Sequence, residues 1–205
     1  MCRPGAREGT IRMRGIEQIP ALYDAGLGLL EATGLGRWRT WLASGAAGRV
    51  LDLGCGTGRN LPIYPGGTRP VGIDPCLETL RAAHRRVPGV PLVLGAAERL
   101  PFRSGAFQTV VSGLVFCSVA EPLRALEEVR RVLGPGGTLR MLEHVRATAR
   151  LHALLQDALQ PLWTRVTGGC RPNRDIESAV RKARFRIDED SRRASGIMRR
   201  FVARP

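Results

Sequence analysis

The chain has 205 residues, of which 43% are hydrophobic and 24% charged, and this is the length and composition of one globular domain. No run of 18 or more uninterrupted apolar residues is present, so membrane-spanning, collagen-like and wholly disordered chains are excluded. The net charge is +14 and is concentrated at the ends, with four Arg and one Glu in residues 1–15, and eleven basic and five acidic residues in residues 171–205.

This basic excess bears on the possible partners. Aromatic residues do not alternate with the basic ones, so a nucleic-acid partner is not expected, whereas peripheral contact with an anionic membrane stays open. Residues 1–15 lack a hydrophobic period and predict a flexible basic arm before a single domain over residues 16–205. The start of the chain lacks the apolar stretch of a secretory signal, so the expected location is cytoplasmic. The sequence does not predict an oligomeric state.

The five cysteines are spaced singly, without a CxxC pair or a histidine at a zinc-ligand interval. We therefore expect no metal site, and we expect Cys117 and Cys170 to be packed thiols.

Hydrophobic periodicity gives the order of the elements. Residues 16–42 predict two amphipathic helices that break near Gly34. Short apolar runs then predict strands, and helical periods predict the helices between and after them. The predicted strands are 49–53, 70–73, 91–94, 107–112, 138–142, 185–187 and 197–202, and the predicted helices are 60–63, 78–86, 122–133 and 151–166. Strands that alternate with helices predict an α/β fold, with a Rossmann-like, seven-stranded, mostly parallel sheet covered by helices on both faces.

A glycine-rich loop follows the first predicted strand in the sequence LDLGCGTG, residues 51–58. Its spacing is G-x-G-x-G, and Arg59 stands where a dinucleotide-binding loop needs its third glycine. Asp52 precedes the loop and would repel a pyrophosphate but suit a cationic amino group. Asp74 ends the second predicted strand, 20 residues after Gly54, where a carboxylate can accept both hydroxyls of a ribose. The loop and Asp74 together predict a nucleoside ligand with an amino-acid end.

These motifs resemble the class I S-adenosylmethionine-dependent methyltransferases of the methyltransferase type 11 group. The resemblance extends over about residues 16–205 and rests on LDLGCGTG (51–58), VGIDP (71–75), GAAERLPF (95–102), FQTVVSGLVFCSV (107–119) and EVRRVLGPGGTLRMLEHV (128–145). It implies S-adenosylmethionine as the cofactor. The residues that it implies for cofactor binding are Asp52, Gly54, Cys55, Gly56, Thr57, Gly58, Asp74, Pro75, Ala97, Glu98, Leu114 and Val115. Relatives often carry Asp where this chain has Ala96, so the backbone alone is expected to meet the adenine amino group.

The fifth strand of the parallel series ends in Glu143 and His144, at the edge where the glycine loop also lies. His144 is the candidate catalytic base, because its charge can change near neutral pH, and Glu143 could orient it or stay solvated at the rim. Further segments, GLGRWRTWL (34–42), NLPIYP (60–65) and the stretch from Gln156 to Asp175, are similar to the alkyl thiol methyltransferase branch.

The expected function is methyl transfer to a small-molecule acceptor, with a thiol favoured by this branch. A quinone-precursor C-methyltransferase and a phospholipid N-methyltransferase are the alternative enzymes. A cofactor-binding fold that has lost activity and serves as an interaction module is the alternative outside enzymes.

Overall fold

The computed structural model describes residues 15–205. The predicted basic arm, residues 1–15, lies outside this range except for Gly15. Six helices and seven strands are described, and short 3-10 turns occur at Ile16–Gln18 and Leu61–Ile63. The helices are α1 (Pro20–Leu30), α2 (Gly36–Ser44), α3 (Leu77–Arg86), α4 (Pro122–Val132), α5 (Arg150–Thr167) and α6 (Ile176–Lys182). The strands are β1 (Arg49–Leu53), β2 (Arg69–Asp74), β3 (Leu92–Leu94), β4 (Phe107–Gly113), β5 (Leu133–His144), β6 (Arg186–Ser195) and β7 (Met198–Arg204).

All seven strands form one sheet in the order β3-β2-β1-β4-β5-β7-β6. Strands β1 to β5 pair in parallel, and β7 pairs antiparallel with both β5 and β6. The predicted mostly parallel seven-stranded sheet is therefore confirmed. The strand order reverses between β1 and β4, and ligands of open α/β sheets bind at such a point, outside the carboxyl ends of the strands.

The two faces of the sheet are covered by different helices, as the alternation of side chains along a strand requires. In β1, Leu51 and Leu53 pack on one face with residues of α4 and α6, whereas Val50 packs on the other face with Leu42 and Ala43 of α2. Residues of odd number in β1 thus point to α4 and α6, and those of even number point to α2. This parity decides where Asp52 lies.

A kink separates α1 from α2 at Gly34, whose φ of 123° explains the predicted break. Arginine side chains of β5 and β7 stack on a tryptophan of α2 and hold this helix against the sheet. The guanidinium carbons of Arg140 and Arg200 lie 4.5 and 4.6 Å from the ring centroid of Trp41. Because planar guanidinium groups stack well on indole rings, these contacts fix α2 over the sheet.

Helix α5 differs from the usual amphipathic pattern. The apolar residues have the predicted helical spacing, but their side chains are 53–77% exposed. They are Leu151, Leu154, Leu155, Leu159 and Leu162. The helix contacts the domain through Gln156 in its first half and through Thr164 and Thr167 near its C-terminal end. Within residues 15–205, every helix is too short or too polar to cross a bilayer.

Candidate functional site

The glycine loop leaves β1 in a conformation that requires glycine. Gly54, Gly56 and Gly58 all have positive φ, at 62°, 54° and 79°, which other residues adopt only with strain. A Cβ on Gly54 would also lie 2.6 Å from a methyl carbon of Val115, at the end of the neighbouring strand. The loop therefore packs its backbone against the end of β4 and turns its remaining surface to the cavity beyond the sheet.

Asp74 connects this loop to β2 and α3. Its Oδ2 accepts a hydrogen bond from the backbone N–H of Gly56 at 3.0 Å. Its Oδ1 accepts from the Cys76 backbone N–H at 2.9 Å and from the Thr79 hydroxyl at 2.8 Å. Burial raises the pKa of Asp74, while these donors act in the opposite direction. The carboxylate still lines the cavity, and about one of its roughly four lone-pair sites, on Oδ2, is left for a hydroxyl of a ligand.

A cavity of about 290 Å³ lies at the carboxyl edge of the parallel strands. Of the residues predicted to bind the cofactor, eight line it: Gly54, Gly56, Asp74, Pro75, Ala97, Glu98, Leu114 and Val115. Ala96, where relatives often carry Asp, lines it as well. The other four predicted residues, Asp52, Cys55, Thr57 and Gly58, are not among its lining residues.

Asp52 is fully buried beneath α2, because its even position in β1 points away from the α4 face. Its Oδ1 accepts a hydrogen bond from the Asn60 amide at 3.0 Å, and its Oδ2 is buried without a hydrogen-bond partner among the described residues. Burial raises the pKa of Asp52 to about 7. The structure thus does not bring Asp52 to the place where the sequence predicted a contact with the amino group of the ligand.

Thr57 has a bridging role that the motif did not indicate. Its hydroxyl donates to Oδ1 of Asp24 in α1 at 2.7 Å, and Asp24 also pairs with Arg86 of α3 at 2.7 Å and with Arg59 at 3.3 Å. Arg86 in turn donates to the backbone carbonyl of Thr57 at 2.6 Å. Asp24 therefore ties α1 to the outer side of the glycine loop.

Strand β4 ends in a strained turn that borders the cavity. Leu114 has a φ of 62°, which is uncommon for a residue with a branched side chain. Its conformation is held from beneath by Glu143, whose Oε1 accepts hydrogen bonds from the backbone N–H groups of Val115 and Phe116 at 3.0 and 3.1 Å and from the Ser112 hydroxyl at 3.0 Å. Glu143 is fully buried, and burial raises its pKa to about 7.

The expectation that Glu143 could stay solvated at the rim is thus wrong. The carboxyl lies under the β4 turn and supports it, and it is not a lining residue of the cavity. The geometry makes Glu143 a positioning residue for Leu114 and Val115.

The end of the cavity away from Asp74 contains a carboxylate that the sequence motifs did not mark. Glu17, just before α1, lines the cavity together with Ser118, Gly168 and Gly169. The Ser118 hydroxyl donates to Oε2 of Glu17 at 3.1 Å. Burial, and next the charge of Cys170, raise the pKa of Glu17 to about 7. No local sequence pattern marks this residue, since it reaches the site from a turn 37 residues before Gly54.

His144 lies behind this end of the cavity and is not among the lining residues. Its buried Nδ1 has no hydrogen-bond partner among the described residues. One ligand atom each of Cys117, His144 and Cys170 lie within 4.8 Å of one another. Both thiols are 1% exposed, as expected for packed cysteines. Their grouping around a histidine was not expected from their spacing in the sequence.

Comparison with known proteins places this geometry in a family. Residues 51–141 match the family model of the methyltransferase domain. The chain is 36% identical over 152 residues to the human thiol S-methyltransferase TMT1B, an alignment that covers 69% of this chain and 62% of that protein. It is 37% identical over 107 residues to Rv3342 of Mycobacterium tuberculosis, an uncharacterized methyltransferase, covering 52% and 44%.

Solved structures show the same fold. A SAM-dependent methyltransferase of Thermotoga maritima superposes with a TM-score of 0.60 at 22% identity, covering 77% of this chain and 81% of that one. YcgJ of Bacillus subtilis gives 0.62 at 21% identity, covering 75% and 68%.

Residues 51–141 thus match the methyltransferase domain family, and the described residues have the fold of a solved SAM-dependent methyltransferase. The cavity fits S-adenosylmethionine as a cofactor, because a carboxylate stands at the end of β2 and glycine backbone stands at the end of β1. The chain spans 59–62% of the length of the first curated thiol S-methyltransferases that it matches.

Proposed function

We propose that this protein transfers a methyl group from S-adenosylmethionine to the thiol of a small molecule. The observation that carries the proposal is the two-ended cavity, with Asp74 and the glycine loop at one end and the Glu17 carboxylate at the other. The curated relatives named thiol S-methyltransferases, at 34–36% identity, support a thiol as the acceptor. We treat residues 16–205 as one catalytic domain, since one sheet runs through them.

The cofactor end is formed by residues with separable tasks. Asp74 would accept a hydrogen bond from a ribose hydroxyl, and Gly54 and Gly56 would let the methionyl part approach the backbone. Ala97 and Glu98 would border the adenine, and Leu114 and Val115 would flank the methionyl chain. When bound, S-adenosylmethionine supplies a methyl group on a sulfonium, and its transfer gives a methyl thioether, S-adenosylhomocysteine and one proton.

The acceptor must lose its thiol proton to become a good nucleophile. A free thiol has a pKa near 8.5, so only a few per cent is thiolate at about neutral pH. Glu17 lines the acceptor end, and Ser118 holds one of its oxygens, so its carboxylate can accept this proton. His144, which the sequence favoured as the base, does not line the cavity.

Proximity and exclusion of water supply the rest of the rate enhancement. Helix α1 lies over the glycine loop and is held there by Asp24. Arg174, which lines the cavity, donates from Nη1 to the backbone carbonyls of Phe116 and Val119 at 2.6 and 2.5 Å. These contacts fix the glycine loop at the cofactor end and the turn after β4 beside the acceptor end, so that sulfur and methyl carbon can be aligned.

The test is turnover of methyl-labelled S-adenosylmethionine against matched acceptors: alkyl and aryl thiols, the corresponding alcohols, a demethylated quinol and phosphatidylethanolamine vesicles. We expect labelled thioethers and no other product. The Glu17→Gln variant should lower kcat by about a hundredfold for alkyl thiols and by less for aryl thiols, which ionise more readily. Product with the quinol or the phospholipid alone would contradict the proposal. Cofactor binding without turnover of any acceptor would support the inactive interaction module instead.

A further inference from the structure

Three elements that are far apart in the sequence bring two thiols and an imidazole together behind the acceptor end of the cavity. Cys117 comes from the turn after β4, His144 from the last position of β5, and Cys170 from the segment between α5 and α6. One ligand atom of each lies within 4.8 Å of the other two. No other group of three or more potential ligands from His, Cys, Asp and Glu occurs in residues 15–205.

We propose that Cys117, His144 and Cys170 bind one Zn²⁺ ion whose fourth coordination position receives the sulfur of the acceptor. The metal site itself stands on the geometry of this chain. The identity of the fourth ligand rests on the proposed thiol methyltransferase function.

The distances favour a tetrahedral ion. Zinc–sulfur bonds of about 2.3 Å and zinc–nitrogen bonds of about 2.0 Å hold neighbouring ligand atoms roughly 3.5–3.8 Å apart in a tetrahedron. The three atoms here lie within 4.8 Å, so movements of about 1 Å close the site around an ion. Two thiolates and one imidazole are donors that suit zinc better than magnesium or calcium, which prefer oxygen.

The thiols and the imidazole have several of their polar contacts within the cluster itself. Cys170 interacts with Cys117 and His144 as well as with the Trp163 side chain. The Nδ1 of His144 is buried without a hydrogen-bond partner among the described residues. The Cys117 Sγ lies 3.6 Å from both the Leu114 carbonyl and the Ser118 hydroxyl, at the usual hydrogen-bond distance of a thiol. An unsatisfied buried nitrogen is costly, and a coordinated cation would satisfy it while neutralising two thiolates.

Three protein ligands leave one position of a tetrahedron open, which is the arrangement of zinc sites that bind water or a substrate. Ser118 and Gly169 are the sequence neighbours of Cys117 and Cys170, and both line the cavity. The cluster therefore adjoins the acceptor end through these two sequence neighbours. A thiol that coordinates there exchanges its proton for the metal, and the proton passes to Glu17, which lines the same end.

Metal binding is tested on the full chain, purified with a reductant and dialysed against Zn²⁺, by elemental analysis. We expect one Zn²⁺ per chain, lost in Cys117→Ala, Cys170→Ala and His144→Ala and kept in Cys55→Ala, which removes another buried free cysteine. Circular dichroism and thermal melting show which variants are folded. A folded wild-type chain without stoichiometric metal, or metal unaffected by all three substitutions, would overturn the site, as would a Cys117–Cys170 disulfide under the same conditions.

Replacement of zinc by Co²⁺ gives a readout that does not depend on activity. The wild-type chain should show the thiolate-to-cobalt charge-transfer band and the visible bands of tetrahedral cobalt. Should a ligand variant not fold, its conservative partner Cys117→Ser or Cys170→Ser should weaken the charge-transfer band. Addition of 2-mercaptoethanol should shift the visible bands, and ethylene glycol should not.

The two proposals fail in different ways. The fourth-ligand assignment would be overturned by a cobalt spectrum that does not change with 2-mercaptoethanol, or by equal thiol turnover in metal-free and metal-loaded protein. Neither result would contradict thiol methylation. Absence of thiol turnover in both forms would overturn the proposed function, and with it the role of the acceptor sulfur as fourth ligand.

Discussion

The carboxylate of Asp74 accepts a hydrogen bond from the backbone N–H of Gly56 at 3.0 Å, so the end of β2 and the glycine loop after β1 share one polar contact. The same carboxylate accepts hydrogen bonds from the Cys76 backbone N–H, just before α3, and from the Thr79 hydroxyl in the first turn of α3. A single side chain thus fixes the shape of the loop, the start of a helix and the cofactor end of the cavity.

Asp74→Ala should therefore affect both binding and stability. Loss of one charge-assisted bond to ribose, at roughly 1.5–3 kcal/mol, predicts an affinity for S-adenosylmethionine that is weaker by about tenfold to about a hundredfold. Loss of the bonds to Gly56, Cys76 and Thr79 predicts a lower Tm as well. Calorimetric titration and thermal melting measure the two effects.

Asp175→Ala is the matched control. Asp175 caps α6 by accepting from the Ser178 backbone N–H at 3.0 Å, and it is not a lining residue of the cavity. We expect a lower Tm with unchanged cofactor affinity. If Asp74→Ala behaves as this control does, Asp74 supports the start of α3 and is not a ribose ligand.

The salt bridge between Asp24 and Arg86 predicts that α1 controls cofactor retention. Asp24→Asn weakens three contacts of a partly buried carboxylate, including the Thr57 hydroxyl bond, without touching the cavity wall. We expect a loss of cofactor affinity of about threefold to thirtyfold, mainly through faster dissociation. Stopped-flow displacement of bound cofactor measures this rate.

Asp157→Asn provides the comparison, because Asp157 pairs with Arg146 through two short contacts on the surface, at 2.6 and 2.7 Å. It should leave the dissociation rate unchanged. Equal rates in wild type and Asp24→Asn would show that α1 does not hold the loop closed over the cofactor.

Glu143 should prove essential for the β4 turn without contacting the cofactor. Glu143→Ala leaves the buried N–H groups of Val115 and Phe116 without an acceptor, at a cost of roughly 1–3 kcal/mol each. The free energy of unfolding, measured in urea, should therefore fall by about 2–5 kcal/mol. Glu143→Gln retains a carbonyl oxygen for both donors and should restore most of this stability. A chain that tolerates Glu143→Ala as well as Glu143→Gln would contradict the supporting role.

Asp52 gives a pH-dependent prediction with a definite sign. Burial raises its pKa from an ordinary value of 3.8 to about 7, despite the nearby Arg39 charge, and Asp74 adds to the rise. The folded chain therefore holds a proton that the unfolded chain releases, and stability falls as pH rises between these two values. Asp52→Asn removes this dependence. The free energy of unfolding of the variant, relative to that of wild type, should therefore rise by roughly 2–3 kcal/mol from about pH 5 to about pH 7.

Urea unfolding of both chains across this pH range makes the measurement. Affinity for S-adenosylmethionine should change little in Asp52→Asn, because Asp52 does not line the cavity. A large loss of affinity would restore the contact with the cofactor amino group that the sequence predicted.

The sequence predicted those parts of the site that depend on local chain geometry. The glycine loop and Asp74 follow strands whose apolar runs are continuous, and parallel strands bring their carboxyl ends to one edge. Eight of the predicted cofactor residues accordingly line the cavity. Asp52 does not line the cavity, because its even position in β1 points to the face of the sheet that α2 covers. The motif alone does not show this orientation.

The parts that the sequence could not predict depend on contacts between distant elements. Glu17 reaches the acceptor end from a turn before α1, and Cys117, His144 and Cys170 meet only because β4, β5 and the segment after α5 converge there. Their separations along the chain match no metal or catalytic motif. The exposure of the α5 leucines could not be predicted either. Periodicity shows that a helix has an apolar face, but it does not show whether other elements cover that face.

The most direct test of thiol specificity uses an acceptor that offers the enzyme a choice. 2-Mercaptoethanol carries one thiol and one hydroxyl on the same two-carbon chain, so both groups have equal access to the cavity. With S-adenosylmethionine carrying a deuterated methyl group, mass spectrometry of the product identifies the methylated atom. We expect wild type to form the S-methyl thioether alone, and Glu17→Gln to form much less of it. An O-methyl product, or no product while the cofactor remains bound, would contradict thiol methylation.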